Sequence, residues 1–468
     1  MARVRADLLV AGGGIAGLAA AVRAVELGLD VVVAEKSAVL GGSGALSAGI
    51  VWTAPEVETA CRVASDGDRA LLAALVEGFD AAVDRLRAAS VAVSERWRGQ
   101  MGFGIAHHAD IGALLATWQA VLGDAVLTGT AVRELVVDGN GAVRGAVLAR
   151  EADRDPFEVA ARAVLLATGG FQGDGGLVAR LIGPGAERMP VRSNAGSVGD
   201  GLRLGQAAGT ALSAPLDGFY GHLIPDRLDR FEPADYLPLT QYHSAHGILV
   251  NIRGRRFTDE SAGDETSNQA VLRQPDGRAV LICDERVRRE HAVGAPYPHG
   301  QEIDRVVAAA QAGGRLARAD TIDELVEQVG AWGVDDAELA RTLGDVGARR
   351  PSGAPGAPAP LREAPLHAVA VAPCITFTFG GLRIDPDGRV LDAAGRWVPN
   401  LYAAGADAGG LQGPGYVGGL ALGLVFGPRV AEAVRATASA AGAAGTRSAP
   451  PPSPRYRRSP WGCAAGRR

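Results

Sequence analysis

The side chains best equipped for chemistry lie in two glycine-rich settings, one near each end of the chain. Near the N-terminus, Gly12, Gly14 and Gly17 form a GxGxxG pattern in "GGGIAG", and the carboxylate of Glu35 follows the last of them by 18 positions. Near the C-terminus, Tyr416 is the single aromatic side chain of "GGLQGPGYVGGLALG", residues 409–423, which also holds seven glycines. In the first pattern one glycine permits a tight turn, the second lets backbone reach a pyrophosphate, and the third packs helix on strand. The phosphates then meet the helix N-terminus, and the acid accepts the ribose hydroxyls. In the second, a single phenol sits among residues that let backbone approach a bound molecule closely, where its hydroxyl can donate a hydrogen bond. The backbone amides of Gly418 and Gly419 offer further donors. The alternative is that Tyr416 packs beneath a cofactor.

The elements that position these groups are legible around them. "DLLVA" (7–11) reads as a buried strand, 15–27 as a helix and 30–34 as a second strand, a right-handed parallel βαβ unit. Residues 57–90 and 112–122 have helical patterns, 125–150 reads as a hairpin turning at Asp138–Gly141, and 161–171 as another buried strand ending in glycines. The fingerprint alone fits NAD or FAD. "EKSAVLGGSGALSAGIVW" (35–52) decides for FAD, because a second glycine-rich loop directly after the acid suits a long cofactor reaching toward a flavin ring. "LLATGGF" (165–171) and "LYAAGADAGG" (401–410) supply two more strand ends in small residues. The expected fold is α/β: a Rossmann-like FAD-binding domain in two segments, 1–215 and 366–440, with an inserted α+β capping domain at 216–365 and a disordered tail at 441–468.

Composition restricts the partners. The chain has 468 residues and a net charge of −5 with both signs mixed, so no nucleic-acid surface is expected. Four separated cysteines, Cys61, Cys283, Cys374 and Cys463, predict neither a disulfide framework nor a metal site, and fit a reducing cytoplasm. No apolar run is long enough to span a bilayer. The basic and apolar start, which a signal peptide would share, is accounted for by the first strand and its glycine turn.

With these pieces together, the chain resembles the FAD-dependent fumarate reductase and succinate dehydrogenase flavoprotein superfamily, most nearly its tricarballylate dehydrogenases and 3-ketosteroid Δ1-dehydrogenases. The carriers include "GGGIAG", "EKSAVLGGSGALSAG", "SVGDGLRLGQAAGTAL", "GILVNIRGRRFTDE", "ITFTFGGLRIDPDGRVLD" and "LYAAGADAGGLQGPGYVGG". The resemblance implies substrate at the junction of the two domains, hydride exchange with the flavin at one carbon, and proton transfer at its neighbour. It implies noncovalent FAD, since the 41–50 loop has no histidine or cysteine. The expected cofactor contacts are Gly12, Gly14, Ile15, Ala16, Gly17, Glu35 and Lys36 from the first unit. The second loop adds Gly41, Gly42, Ser43, Ala45, Ser47, Ala48 and Gly49. Ala131, Val132, Ala167, Thr168, Gly169 and Asp200 follow, then Gly405, Asp407, Leu420 and Ala421.

The resemblance also exposes departures. The stretch after "RRFTDE" lacks the arginine proton donor of fumarate-reducing members, Phe377 stands for their histidine, and Tyr416 for their carboxylate-binding arginine. The tyrosine matches that of the ketosteroid dehydrogenases, where it favours enolisation. The expected reaction is desaturation or ene-reduction beside a carbonyl in a small, fairly apolar substrate other than fumarate or succinate. Tyr416 and His222 are the catalytic candidates. Phe377, Gly418, Gly419 and His246 are expected at the substrate, and Tyr220, Tyr242 and Asp264 are further groups for proton transfer. His222 can equally be structural. The second reading is a tricarballylate-like dehydrogenase using Arg362 or Arg383, and the third a non-catalytic FAD-binding protein. His107 and His108 are expected in a loop, and Arg255 and Arg256 in ion pairs with Asp259 or Glu260 that join cap to core. The electron acceptor or donor and the oligomeric state are not specified by the sequence.

Overall fold

The computed structural model describes residues 4–150, 152, 155–348 and 361–445. β1 (Val4–Ala11), α1 (Ile15–Glu26) and β2 (Val31–Ala34) form the parallel βαβ unit. β3 (Val126–Leu127), β4 (Pro156–Leu166) and β5 (Trp397–Ala403) extend it in the order β5, β4, β1, β2, β3. Leu8, Leu9, Val164 and Leu165 are fully buried, as the centre of a parallel sheet covered on both faces requires. Leu9 is in register with Val32 and Val164, and Val164 with Leu401. The carboxyl ends of β1, β2, β4 and β5 therefore finish along one edge, where open α/β sheets bind ligands. The hairpin Thr130–Val137 and Val143–Arg150 joins β4 on its antiparallel side, and the Asp138 carboxylate accepts from the Asn140 and Ala142 amides at its turn.

The last helix, α2 (Leu420–Gly445), lies against α1. A Cβ on Gly427 would fall 2.4 Å from the Ala16 carbonyl oxygen, and one on Gly423 3.0 Å from the Ala16 nitrogen. These late glycines set the approach of the two helices. α2 continues beyond residue 440, past the expected start of the tail, and residues 446–468 lie outside the described residues.

The intervening chain forms a second, antiparallel sheet. Leu366–Pro373 is flanked by Ala279–Cys283 on one side and by Leu223–Pro225 and Leu316–Ala319 on the other, with Ile248–Val250 beyond Ala279–Cys283. The return to the first domain was expected at residue 366, yet Leu366–Pro373 is the central strand of this cap sheet. Its sequence, LHAVAVAP, is buried at nearly every position and is stable only with cover on both faces. Helices Ile322–Gly330 and Asp336–Ala348 cover one face through Leu325, Val329, Leu339 and Leu343. Of the expected extended connection 349–365, residues 349–360 lie outside the described residues.

Candidate active site

One cavity of about 1380 Å³ runs from Glu35, at the end of β2, into the cap. Its first half is a backbone cradle. Gly12 has φ +110°, and a Cβ there would lie 2.2 Å from the Ala167 carbonyl oxygen. A Cβ on Gly14 would point into open space, meeting nothing nearer than the Gly41 oxygen at 4.0 Å. Gly14 caps α1 without any side-chain hydrogen bond, which leaves the first-turn amides open to an anion. The Glu35 carboxylate is held by the Gly13 and Ser37 amides, each at 2.7 Å. The Gly41 amide donates to the Gly13 carbonyl at 2.8 Å, so the second glycine loop runs beside the first. An uncapped helix start, a fixed acid and an open glycine face are what an extended dinucleotide needs, and the residues present fit FAD.

Most of the expected cofactor residues line this cavity. Gly12, Gly14, Ile15, Ala16, Glu35, Lys36, Gly41, Gly42, Ser43, Ser47 and Ala48 do so, as do Ala131, Val132, Ala167, Thr168, Gly169, Asp200, Gly405 and Leu420. Lys36 spends its charge on Asp200, at 2.6 Å. Gly17, Ala45, Gly49, Asp407 and Ala421 are not in the lining. Gly17 is a packing glycine whose Cβ would strike the Gly12 oxygen at 2.0 Å, and a Cβ on Gly49 would strike the Ala109 oxygen at 2.4 Å. Asp407 is buried with its carboxylate accepting from the Thr168 amide and hydroxyl and the Gly170 amide. It ties the end of β5 to that of β4. Burial pushes its pKa up against the pull of those hydrogen bonds.

The second half of the cavity is aromatic. Tyr416 stacks on Tyr220 with ring centroids 3.8 Å apart and planes 20° apart, and Trp52 and Phe377 meet Tyr416 edge-on at 5.1 and 5.8 Å. Phe377 and Gly419 line the cavity as expected. Gly418 does not, because a Cβ there would sit 2.0 Å from the Trp52 carbonyl oxygen. Burial raises the pKa of Tyr416 while the Gly419 amide and Trp52 side chain lower it, and Tyr220 is raised well above its ordinary value by burial and by Tyr416. Both remain phenols at neutral pH.

His222 does not face the cavity; it stands behind Tyr220. Its Nε2 is 2.8 Å from the Tyr220 hydroxyl, and its Nδ1 contacts the Asp264 carboxylate, which also accepts from the Ser244 hydroxyl at 2.9 Å. Burial lowers the His222 pKa more than Asp264 raises it. In the neutral ring, Nδ1–H donates to Asp264 and Nε2 accepts from Tyr220. Tyr220 and His222 are two apart in extended chain and so share a face, the spacing from which sequence reasoning could have joined them. Glu265, next to Asp264, lines the cavity with Oε2 unpartnered, and burial pushes its pKa up to about 7.

His246 lines the cavity, its ring stacked on that of His291 at 3.6 Å. Other expectations need correction. His107 and His108 lie on a strand, Gly104–His108, with His107 Nδ1 2.9 Å from the Ser94 carbonyl and His108 stacked on Tyr297. Arg256 pairs with Glu260 at 2.6 Å, but Arg255 pairs with Glu338 at 2.9 Å, so both brace the cap itself rather than the cap against the core. The expected alternative cations, Arg362 and Arg383, are exposed and outside the lining. Two arginines that the sequence analysis did not single out, Arg192 and Arg305, also line the cavity. Neither lies in the motifs that carried the family resemblance, so nothing local in the sequence marked them.

A family of FAD binding domains matches residues 7–422. The fumarate reductase (cytochrome) of Shewanella frigidimarina is 30% identical over 452 residues, covering 89% of this chain and 74% of that protein. The 4-oxocyclohex-2-ene-1-carboxylate 5-dehydrogenase of Sinomonas cyclohexanicum is 25% identical over 574 residues, covering 93% and 95%. The fold is shared with the 3-ketosteroid-Δ4-(5α)-dehydrogenase of Rhodococcus jostii RHA1, at a TM-score of 0.72 and 22% identity over 92% of this chain and 97% of that one. Among the described residues no helix is long and apolar enough to cross a membrane, and no cluster of acids, histidines and cysteines is arranged to hold a metal. The chain belongs to this FAD binding domain family and is an FAD-dependent oxidoreductase.

Proposed function

We propose that the enzyme desaturates or reduces a carbon–carbon bond beside a carbonyl in a small, largely apolar substrate other than fumarate or succinate. Relatives named as a fumarate reductase and an oxocyclohexene carboxylate dehydrogenase support chemistry at such a bond. The observation that carries the reading is the chain Tyr220–His222–Asp264, which opens on the cavity where Tyr220 meets Tyr416.

Bound FAD, held noncovalently by the glycine cradle, supplies the hydride acceptor for desaturation or the donor for reduction. The protein supplies the rest. The Tyr416 hydroxyl donates to the substrate carbonyl and stabilises charge as it develops on that oxygen. In desaturation, the proton on the carbon next to the carbonyl passes to the Tyr220 oxygen as the Tyr220 proton passes to Nε2 of His222. Asp264 fixes the ring's tautomer and steadies the imidazolium that results. Reduction runs the same path backwards and delivers the proton to carbon. The aromatic walls of Trp52, Phe377 and the two tyrosines exclude water from the reacting atoms.

The test is an anaerobic turnover screen of FAD-loaded protein against saturated ketones, their enones, fumarate and succinate. Turnover of a ketone or enone is expected. Efficient turnover confined to the dicarboxylates would contradict the reading.

A further inference from the structure

Arg192 and Arg305 reach the cavity from different parts of the chain and meet at one residue, Tyr242. Arg192 donates to the Tyr242 hydroxyl at 3.4 Å and to the Tyr236 carbonyl at 3.2 Å. Arg305 lies over the Tyr242 ring, with Cζ 4.9 Å from its centroid. Arg305 is only 3% exposed; its Nη1 donates to the carbonyls of Ala292, Gly294 and Ile303, and its Nε has no partner. Among the described residues neither guanidinium forms an ion pair with a carboxylate. Of the nearby acids, Asp304 pairs with Arg288 and Glu290 with Arg286, while Asp264 is hydrogen-bonded to the neutral His222 ring and to Ser244 and its charge acts on both arginines. Burial holds Glu265 largely uncharged below neutral pH.

Two sheltered cations thus share one nearby negative charge not already paired with a cation, that of Asp264, and one positive charge is left in excess, which folded proteins rarely tolerate without purpose. A guanidinium fork matches the planar geometry of a carboxylate, which it can bind through two parallel hydrogen bonds. We infer that Arg192 and Arg305 form one carboxylate subsite, so that the substrate carries a single carboxylate at the cap side and its activated carbonyl at Tyr416. The inference rests on the reading of this cavity as the substrate site. Both arginines bracket one tyrosine, so they serve one anionic group and not the two ends of a dicarboxylate. The Tyr242 and His222 rings are 5.0 Å apart, which sets the subsite beside the proton path.

The experiment is a spectrophotometric titration of the FAD-loaded protein, following the flavin band, with 4-oxocyclohexane-1-carboxylate and with the uncharged 4-methylcyclohexanone. Wild type is expected to bind the oxo acid at least about tenfold more tightly than the ketone. Arg192→Ala and Arg305→Ala are each expected to weaken the oxo acid by about tenfold to a hundredfold and leave the ketone unchanged, with Arg192→Lys intermediate. Equal affinity of wild type for the two probes, or no binding of the oxo acid, overturns the inference without reference to the variants. Parallel loss of both probes in variants that retain FAD also overturns it, because arginines that only clasp cap to core would act on both. Turnover is not scored, so a failure of the proposed reaction is read separately from a failure of the subsite.

Discussion

The ring of Tyr220, from the start of the cap, lies 3.8 Å from that of Tyr416, from the glycine-rich turn before the last helix. One tyrosine is backed by an imidazole and the other is not. The contact brings a group able to relay a proton and a group able only to donate a hydrogen bond to the same end of the cavity. In the proposed reaction the two phenols thus take different roles through what stands behind each.

Substitutions should separate those roles. Tyr220→Phe is expected to lower turnover by about 10²–10⁴-fold, the usual range for loss of a positioned acid or base. Tyr416→Phe is expected to lower it by about 10²-fold through loss of a carbonyl donor. Steady-state kinetics on FAD-loaded variants checks both; turnover unchanged in either variant contradicts its assigned role.

The pH dependence should reverse with the direction of reaction. Desaturation needs His222 neutral so that it can receive the Tyr220 proton, and burial holds its pKa below the ordinary 6.5. The desaturation rate is therefore flat at neutral pH and falls only as pH drops through that lowered value. Reduction needs the imidazolium and rises over the same interval. Asp264→Asn removes the partner that raises the pKa of His222 and should shift both limbs to lower pH.

Glu265 offers a test by stability. Its pKa is about 7 in the folded chain against an ordinary 4.5, so folding holds its proton more tightly. Its contribution to stability is whole below pH 4.5 and is lost as pH rises towards 7. The loss is at most about 3 kcal/mol from a shift of that size. Glu265→Gln keeps the shape without the charge and should raise Tm by a few degrees above neutral pH, with little effect near pH 4.5. Thermal melts at the two pH values measure it.

The cradle predicts two different glycine phenotypes. Gly12→Ala drives a methyl to 2.2 Å from a backbone oxygen at φ +110° and should impair folding itself. Gly14→Ala meets no protein atom closer than 4.0 Å, so the protein should fold with normal circular dichroism but lose FAD, as the methyl occupies the space a pyrophosphate needs. Flavin absorbance of the purified variants distinguishes the two.

The nucleotide half of the site was legible because its signals are local: strand, glycine turn, helix and acid follow one another in 35 residues. Tyr416 stood out for the same reason. The aromatic half was less legible because tertiary packing assembles it. Asp264 reaches His222 across 42 positions, and Tyr220 meets Tyr416 across the whole cap. Asp407 sits in the right motif, yet its carboxylate is spent on backbone amides, a distinction that residue type does not carry. Arg192 and Arg305 gain their meaning only from the shared cavity they line and from lacking an ion-pair partner among the described residues, which no stretch of letters displays. The boundary at 366 failed because an apolar strand reads the same in either sheet.

The central claim, that Tyr220 moves the proton beside the carbonyl, is tested most directly by NMR of a turned-over ketone in deuterated buffer. Wild-type enzyme should place deuterium on the carbon next to the carbonyl, and FAD-loaded Tyr220→Phe should bind the ketone but place none. Undiminished deuterium incorporation by that variant would contradict the account.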